Sequence, residues 1–294
     1  MRTLIIGSNG QLGRDLMTMA AARGWAAVGG DLPRCDISDP ASLQALVEGA
    51  GDLQVVINAA AYTAVDAAES DAATAFAVNR DGVAALADLC RGRQLPLIHV
   101  STDYVFDGRQ ARPYRPDDPI QPVGVYGHSK AEGETQLRRR WQQHIIVRTS
   151  WLFGRHGANF VRTMLRLAGE RDTLRVVDDQ VGCPTYAGDL ADALLTIAGH
   201  ALDRRSGWGT YHFCNPPAVT WWAFACRIID MARDREPLAV RQVVPISTAD
   251  YPTPAARPAY SVLDCGSLEE RFGITRRSWE AGLAEMLRDM NVPH

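Results

Sequence analysis

A chain of 294 residues is long for one hydrophobic core and short for three, which suggests a nucleotide-sized α/β domain with a smaller companion. With 46% hydrophobic and 22% charged residues the composition is globular, and a formal net charge of -3 gives no long-range attraction for nucleic acid or anionic lipid. No stretch approaches the ~20 apolar residues of a membrane span, and "MRTLIIGSNG" reaches Gly7 with no room for a signal-peptide apolar region, so a cytoplasmic protein is expected.

Short apolar runs bounded by glycine or polar residues alternate with segments of helical period, the signature of βαβ units around a parallel sheet. Strands are predicted at 2–7, 26–31, 55–60, 95–102 and 144–150, with another at 209–215. Helices are predicted at 11–23, 40–50, 71–92 and 126–142. After about residue 150 proline and glycine become frequent, as in "CPTYAGD", "CNPPAVT" and "YPTPAARP", and the strand-helix beat loosens. The basic run at 138–140 reads as a solvated helix face. Six cysteines, Cys35, Cys90, Cys183, Cys214, Cys226 and Cys265, show no zinc-ligand spacing and read as reduced, mostly buried thiols.

"GSNGQLG" places Gly7, Gly10 and Gly13 after the first strand and at the opening of the first helix. Glycine suits a sharp turn, a close approach to a pyrophosphate and tight packing of helix on strand. The helix N-terminus then presents free N–H groups to phosphate. The second strand ends in "GGDLPRCDI". Asp31 there can accept from an adenosine ribose and repels a 2′-phosphate, which favours NADH, whereas Arg34 can pair that phosphate, so the choice between NADH and NADPH stays open. Asp36 and Ile37 suit the adenine amine and its face, with turn capping an equal alternative for Asp36. The fold expected is α/β: a Rossmann-like, doubly wound parallel sheet in residues 1–153 with returning chain around 185–215, and a smaller α+β substrate-binding domain in 154–294.

Ligands of such sheets lie beyond the carboxyl ends of the strands. There stand small residues at 59–61, then Ser101, Thr102 and Asp103, and then Trp151 at the rim. Tyr126 opens the helix that leads to the fifth strand, and Lys130 lies one turn on, on the same face. A phenol of pKa ~10 is a poor acid at neutral pH. A neighbouring ammonium is expected to lower that value toward the working range, which makes Thr102, Tyr126 and Lys130 the candidate catalytic set. His128, two residues from Tyr126, faces away and reads as peripheral.

The stretches "GSNGQLG", "NAAAYTAVDAAES", "STDYVFDG", "VYGHSKAEGE" and "RTSWLFG" resemble the extended short-chain dehydrogenase/reductases, and among them the dTDP-4-dehydrorhamnose reductase family. The resemblance continues through "NFVRTMLRLAGERDTLRVVDDQVGCPT" and "YPTPAARPAYSVLD", nearly the whole chain. It implies reduction, by NADPH or NADH, of the 4-keto group of a dTDP-sugar in dTDP-rhamnose synthesis, which feeds lipopolysaccharide and O-antigen. It implies that Gly10, Gln11 and Leu12 hold the pyrophosphate, that Ala61, Tyr62 and Thr63 lie along the cofactor, and that Thr102, Asp103 and Trp151 contact the sugar nucleotide. Arg257 is a candidate for the diphosphate, or else the partner of a structural carboxylate. Where some members bind Mg²⁺ between two subunits through three glutamates, this chain has Asp15, Asp189 and Asp289, so a metal-linked homodimer is in question. Two rivals are an epimerase or dehydratase of the same fold and a non-catalytic NADP-binding regulatory subunit.

Overall fold

The computed structural model describes residues 1–290 apart from 234 and 236. Strands β1 (Arg2–Ile6), β2 (Ala26–Gly30), β3 (Val55–Asn58), β4 (Leu97–Thr102) and β5 (His144–Thr149) alternate with helices α1 (Gln11–Ala22), α2 (Pro40–Gly49), α3 (Val65–Ala68), α4 (Ala72–Phe76), α5 (Val83–Gly92) and α6 (Val125–Arg140). Then follow β6 (Leu152–Phe153), α7 (Phe160–Glu170), β7 (Thr173–Val177), β8 (Val181–Gly182), β9 (Thr185–Tyr186), α8 (Ala187–Arg204), β10 (Gly209–His212), β11 (Val219–Thr220), α9 (Trp221–Arg233), β12 (Gln242–Ile246), α10 (Gly266–Phe272) and α11 (Trp279–Met290).

The central sheet runs β10-β5-β4-β3-β1-β2, with every pairing parallel. Successive residues of a strand point to opposite faces, and both faces are covered. Ile5, Ile57 and Ile145 therefore pack with Leu16 of α1 and Leu190 and Leu194 of α8. Leu4, Ile6, Val56 and Ile146 pack with Leu43 of α2, Leu86 of α5 and Leu137 of α6. The strand order reverses at β1, which pairs with both β2 and β3. That reversal opens a crevice above the carboxyl end of β1, where the glycine loop begins.

The α/β expectation holds, and its strands are shorter at their ends than periodicity suggests. The predicted helix at 71–92 is two α-helices joined by a π-helical turn, Ala77–Gly82. Such turns accommodate an extra residue in the ladder and often mark functional sites. Asn79 supplies the reason here, because its buried amide leaves the helix to bond the backbone of Tyr62. A separate apolar cluster joins α7, α9 and α11 with β7. Short pairs, β7 with β12, β8 with β11 and β6 with β9, complete that part. Meanwhile α8 lies beside α1, and β10 adds the sixth strand next to β5.

Candidate active site

A cleft of about 960 Å³ runs along the carboxyl edge of the sheet, from the glycine loop to Trp151. At its head Gly7 sits at φ 82°, and a Cβ there would lie 2.6 Å from the Ala60 nitrogen. A Cβ on Gly13 would overlap the Gly7 carbonyl oxygen. Only glycine fits at either place, and the loop is thereby held against the start of α1. Gly10 is the N-cap of that helix and carries no side chain to occupy its free N–H groups. These glycines, Gln11 and Leu12 all line the cleft.

Beside the glycine loop Asp31 accepts from Asn9 N at 2.7 Å and Leu32 N at 2.8 Å, so its carboxylate is fixed in the cleft wall. Arg34 is exposed and stands outside the lining. Asp36 lines the cleft, and its Oδ1 caps a turn by accepting from Ser38 N and Oγ. Ile37 is buried against Gly82, where a Cβ would meet its carbonyl at 2.7 Å. Ala61, Tyr62 and Thr63 follow along the wall.

Thr102, Asp103, Tyr126, Lys130 and Trp151 come together at the other end. Lys130 Nζ donates to the Val100 carbonyl at 2.8 Å. Thr102 Oγ1 donates to Asp103 Oδ1 at 3.1 Å. Tyr104 packs edge-on against Tyr126, ring centroids 5.6 Å apart. Lowering of the Tyr126 pKa by its lysine is not what this arrangement produces. Burial dominates and pushes the phenol up to about 12, opposed by the Thr102 hydroxyl beside it. Burial also draws Lys130 down to about 8, with Glu134 opposing. Asp103 is pushed up to about 6 by burial, against hydrogen bonds from Ser261 and Thr102.

Several supporting side chains left no local signal in the sequence. Asn79 accepts from Tyr62 N at 2.9 Å and donates to Ser129 Oγ at 3.0 Å, and Ser129 donates to the Tyr126 carbonyl at 2.8 Å. One amide thus ties the cleft wall at Tyr62 to the helix of Tyr126. Glu134, fully buried one turn after Lys130, accepts two bonds of 2.8 Å from Arg148 and one from Arg138. Burial would raise this carboxyl, yet Arg148 foremost, with Arg138 and Ser101, holds it at about 2. The basic run is accordingly only partly a solvated face. In the sequence Asn79 stands within a predicted helix and Glu134 four places from a Lys, and neither marks its partner. His128 is exposed on the outer side of α6.

Two sets of anticipated residues stand elsewhere. Arg257 is outside the cleft lining, where Nη2 donates to Asp66 Oδ2 at 2.8 Å and Nη1 to the Ala255 carbonyl and Thr253 Oγ1. Three of its donors hold the chain's own loop to α3, the contact of a residue paired with a structural carboxylate. The aspartates do not assemble a cation site either. Arg155 bridges Asp15 and Asp289, with both contacts at 2.9 Å. Asp189 pairs with Arg277 and accepts from Asn215. The Arg155 guanidinium stands between the Asp15 and Asp289 carboxylates, and among the described residues no group of three His, Cys, Asp or Glu side chains is placed to hold a metal ion.

No helix among the described residues is long and apolar enough to cross a membrane. A family model described as RmlD substrate binding domain matches residues 1–292. The chain is 44% identical over 285 residues to a dTDP-4-dehydrorhamnose reductase of Aggregatibacter actinomycetemcomitans, covering 96% of this chain and 97% of that protein. Among solved structures it is similar to a dTDP-4-dehydrorhamnose reductase of Clostridium acetobutylicum, with TM-score 0.92, 35% identity and coverage of 99% and 100% of the two chains. It is also similar to one from Bacillus anthracis in complex with NADP, with TM-score 0.91, 34% identity and coverage of 98% and 99%.

Proposed function

Because the chain belongs to the dTDP-4-dehydrorhamnose reductase family, we propose that its cleft carries out NAD(P)H-dependent reduction of the 4-keto group of dTDP-4-dehydro-β-L-rhamnose to dTDP-L-rhamnose. The observation that carries this reading is the joining of two halves in one cleft. The glycine loop stands at one end, and Thr102, Tyr126 and Lys130 stand at the other. The residues present fit a dinucleotide, since Gly7 and Gly13 let the loop fold tightly against the start of α1, and the N-terminus of that helix, with Gly10 as its N-cap, offers free N–H groups.

The bound nicotinamide supplies the hydride. Negative charge then grows on the substrate carbonyl oxygen and needs a donor aimed at it. Tyr126 provides that donor, and its burial keeps the phenol protonated at neutral pH, the form that reduction requires. Thr102 adds a hydrogen bond to the same oxygen. Lys130 holds ribose hydroxyls and, still charged below about pH 8, stabilises the tyrosinate left behind. Asp103 and Trp151 meet the sugar. Gln11, Leu12, Ala61, Tyr62 and Thr63 position the cofactor, with Asp31, Asp36 and Ile37 at its adenosine. Residues up to about 153, with the chain returning around 185–215, carry the cofactor, and the remainder carries the sugar nucleotide. The enzyme works in the cytoplasm, and no step runs through Mg²⁺.

The test is to incubate the protein with dTDP-4-dehydro-6-deoxy-L-mannose and each reduced cofactor. Net stoichiometric oxidation of cofactor and formation of dTDP-L-rhamnose are expected. Tyr126→Phe should keep cofactor binding and lose ~10²–10⁴ in turnover, the worth of a positioned acid. Redox-neutral conversion of the sugar, or a fully active Tyr126→Phe enzyme, contradicts the assignment.

A further inference from the structure

Trp151 is held more firmly than its place at the cleft edge requires. Its φ is 46°, in the left-handed region that a bulky residue adopts only when its surroundings impose it. Two neighbours do so. The indole of Trp221, the first residue of α9, stacks on the Trp151 ring with centroids 3.5 Å apart and planes 9° apart. On β8, Gly182 leaves the ring its space, since a Cβ there would come within 2.5 Å of Trp151 Cε2.

The two supports are built as one unit. β8 pairs antiparallel with β11, setting Gly182 opposite Val219 and Val181 opposite Thr220, the residue that precedes Trp221. Thr185 N donates to the Trp151 carbonyl at 3.1 Å, which ties the same segment to the Trp151 backbone. Trp221 in turn packs on Phe160, ring centroids 4.5 Å apart, at the margin of the apolar cluster of α7, α9 and α11. Trp151 lines the cleft, whereas Trp221 does not. Trp221 meets the cleft through the Trp151 ring on which it stacks.

We propose that Trp221 is a positioning residue for sugar-nucleotide recognition: by stacking on Trp151 it fixes where that ring meets the sugar. The inference rests on the reading that this cleft takes a ketosugar nucleotide. Without the stack, the Trp151 backbone is free to leave its left-handed conformation and take the ring with it. The glycine loop, Tyr126 and Lys130 are untouched by Trp221, so the loss falls on binding of the sugar nucleotide.

The experiment compares Trp221→Leu, Trp221→Phe and Gly182→Ala with the parent, measuring kcat and KM for the ketosugar nucleotide and the Kd for NADPH. Trp221→Leu is expected to raise KM about 2- to 12-fold, the range that corresponds to an aromatic pair. Its kcat and NADPH affinity should stay within about threefold of the parent. Trp221→Phe keeps a stacking face and should recover most of the KM. Gly182→Ala displaces the same ring from β8 with the Trp221 side chain intact and should raise KM, which keeps the test available if Trp221→Leu does not fold. An unchanged KM in the folded variants overturns the proposal, as does a loss shared equally by KM, kcat and NADPH affinity. If the parent itself fails to reduce the ketosugar, the functional reading falls and this inference falls with it.

Discussion

Replacing Glu134 by Gln removes a negative charge from a place that water cannot reach. The Glu134 carboxylate is fully buried and Arg148 nearly so, and two parallel bonds of 2.8 Å join them. Taking away one partner of such a pair costs about 3–5 kcal/mol, because the remaining charge stays buried. Arg148 keeps a bond to the Pro116 carbonyl and a position 5.1 Å from the Phe106 ring centroid, which places the expectation near the lower end, about 3 kcal/mol. Arg138, partly exposed, adds little. A loss of about 3 kcal/mol is a large part of the ~5–15 kcal/mol that holds a typical domain together, so the urea midpoint should fall by about 1 M or more. The carboxyl is held at about 2 against an ordinary 4.5. Its contribution is therefore full above pH 4.5 and is lost as pH falls toward 2, so the gap between parent and variant should narrow over that window. A second readout comes from Lys130, whose ammonium burial draws down and Glu134 supports. His99, packed nearby on β4, is kept neutral by burial and by the charge of Lys130, and offers no replacement. The alkaline limb of kcat/KM, expected near pH 8 in the parent, should move to lower pH in Glu134→Gln. The double variant Glu134→Leu with Arg148→Met, which leaves no orphan charge, should recover part of the stability. A Glu134→Gln protein within about 1 kcal/mol of the parent, with its alkaline limb unmoved, refutes the reasoning.

Three further outcomes follow from other parts of the molecule. Gly13→Val forces a side chain onto the Gly7 carbonyl; dinucleotide affinity, measured by fluorescence titration, should fall by at least about fivefold, the result of overpacking at ~1–3 kcal/mol. Asp31→Asn removes a charge from the cleft wall beside the glycine loop and keeps one of the two oxygen acceptors that Asn9 N and Leu32 N use; the ratio of kcat/KM for NADPH to that for NADH should rise by about tenfold, after allowance for screening at a partly open site. Arg155→Met strands the buried Asp15, whose Oδ2 has no partner among the described residues; a stability loss of about 2–3 kcal/mol is expected, while EDTA should leave the melting temperature of the parent unchanged. A melting temperature that falls with EDTA overturns the account of these aspartates.

Much of the fold and of the cleft was legible in the sequence because the rules involved are local. A buried parallel strand is an apolar run, a dinucleotide turn needs glycine at set spacings, and residues four apart share a helix face. Hence the βαβ order, the glycine loop, and the placing of Thr102, Tyr126 and Lys130 beyond neighbouring strands could be read in advance. What the tertiary structure alone decided concerns partners far apart in the chain and the exclusion of water. Arg257 could be assigned to Asp66 only when α3 and the loop before Tyr260 met. The sequence left a metal role for Asp15 and Asp289 in question, and their shared bond to Arg155 exists only in the folded chain. The phenol of Tyr126 lies high because burial outweighs its neighbours, and burial is set by every element packed around it. Gly182 in "DDQVGCPT" and Trp151 in "RTSWLFG" are likewise halves of one contact, visible only once β8 lies against the ring. Spacing along a chain sets which faces residues share, while Coulomb energy and desolvation depend on distances through space, and those exist only in the folded molecule.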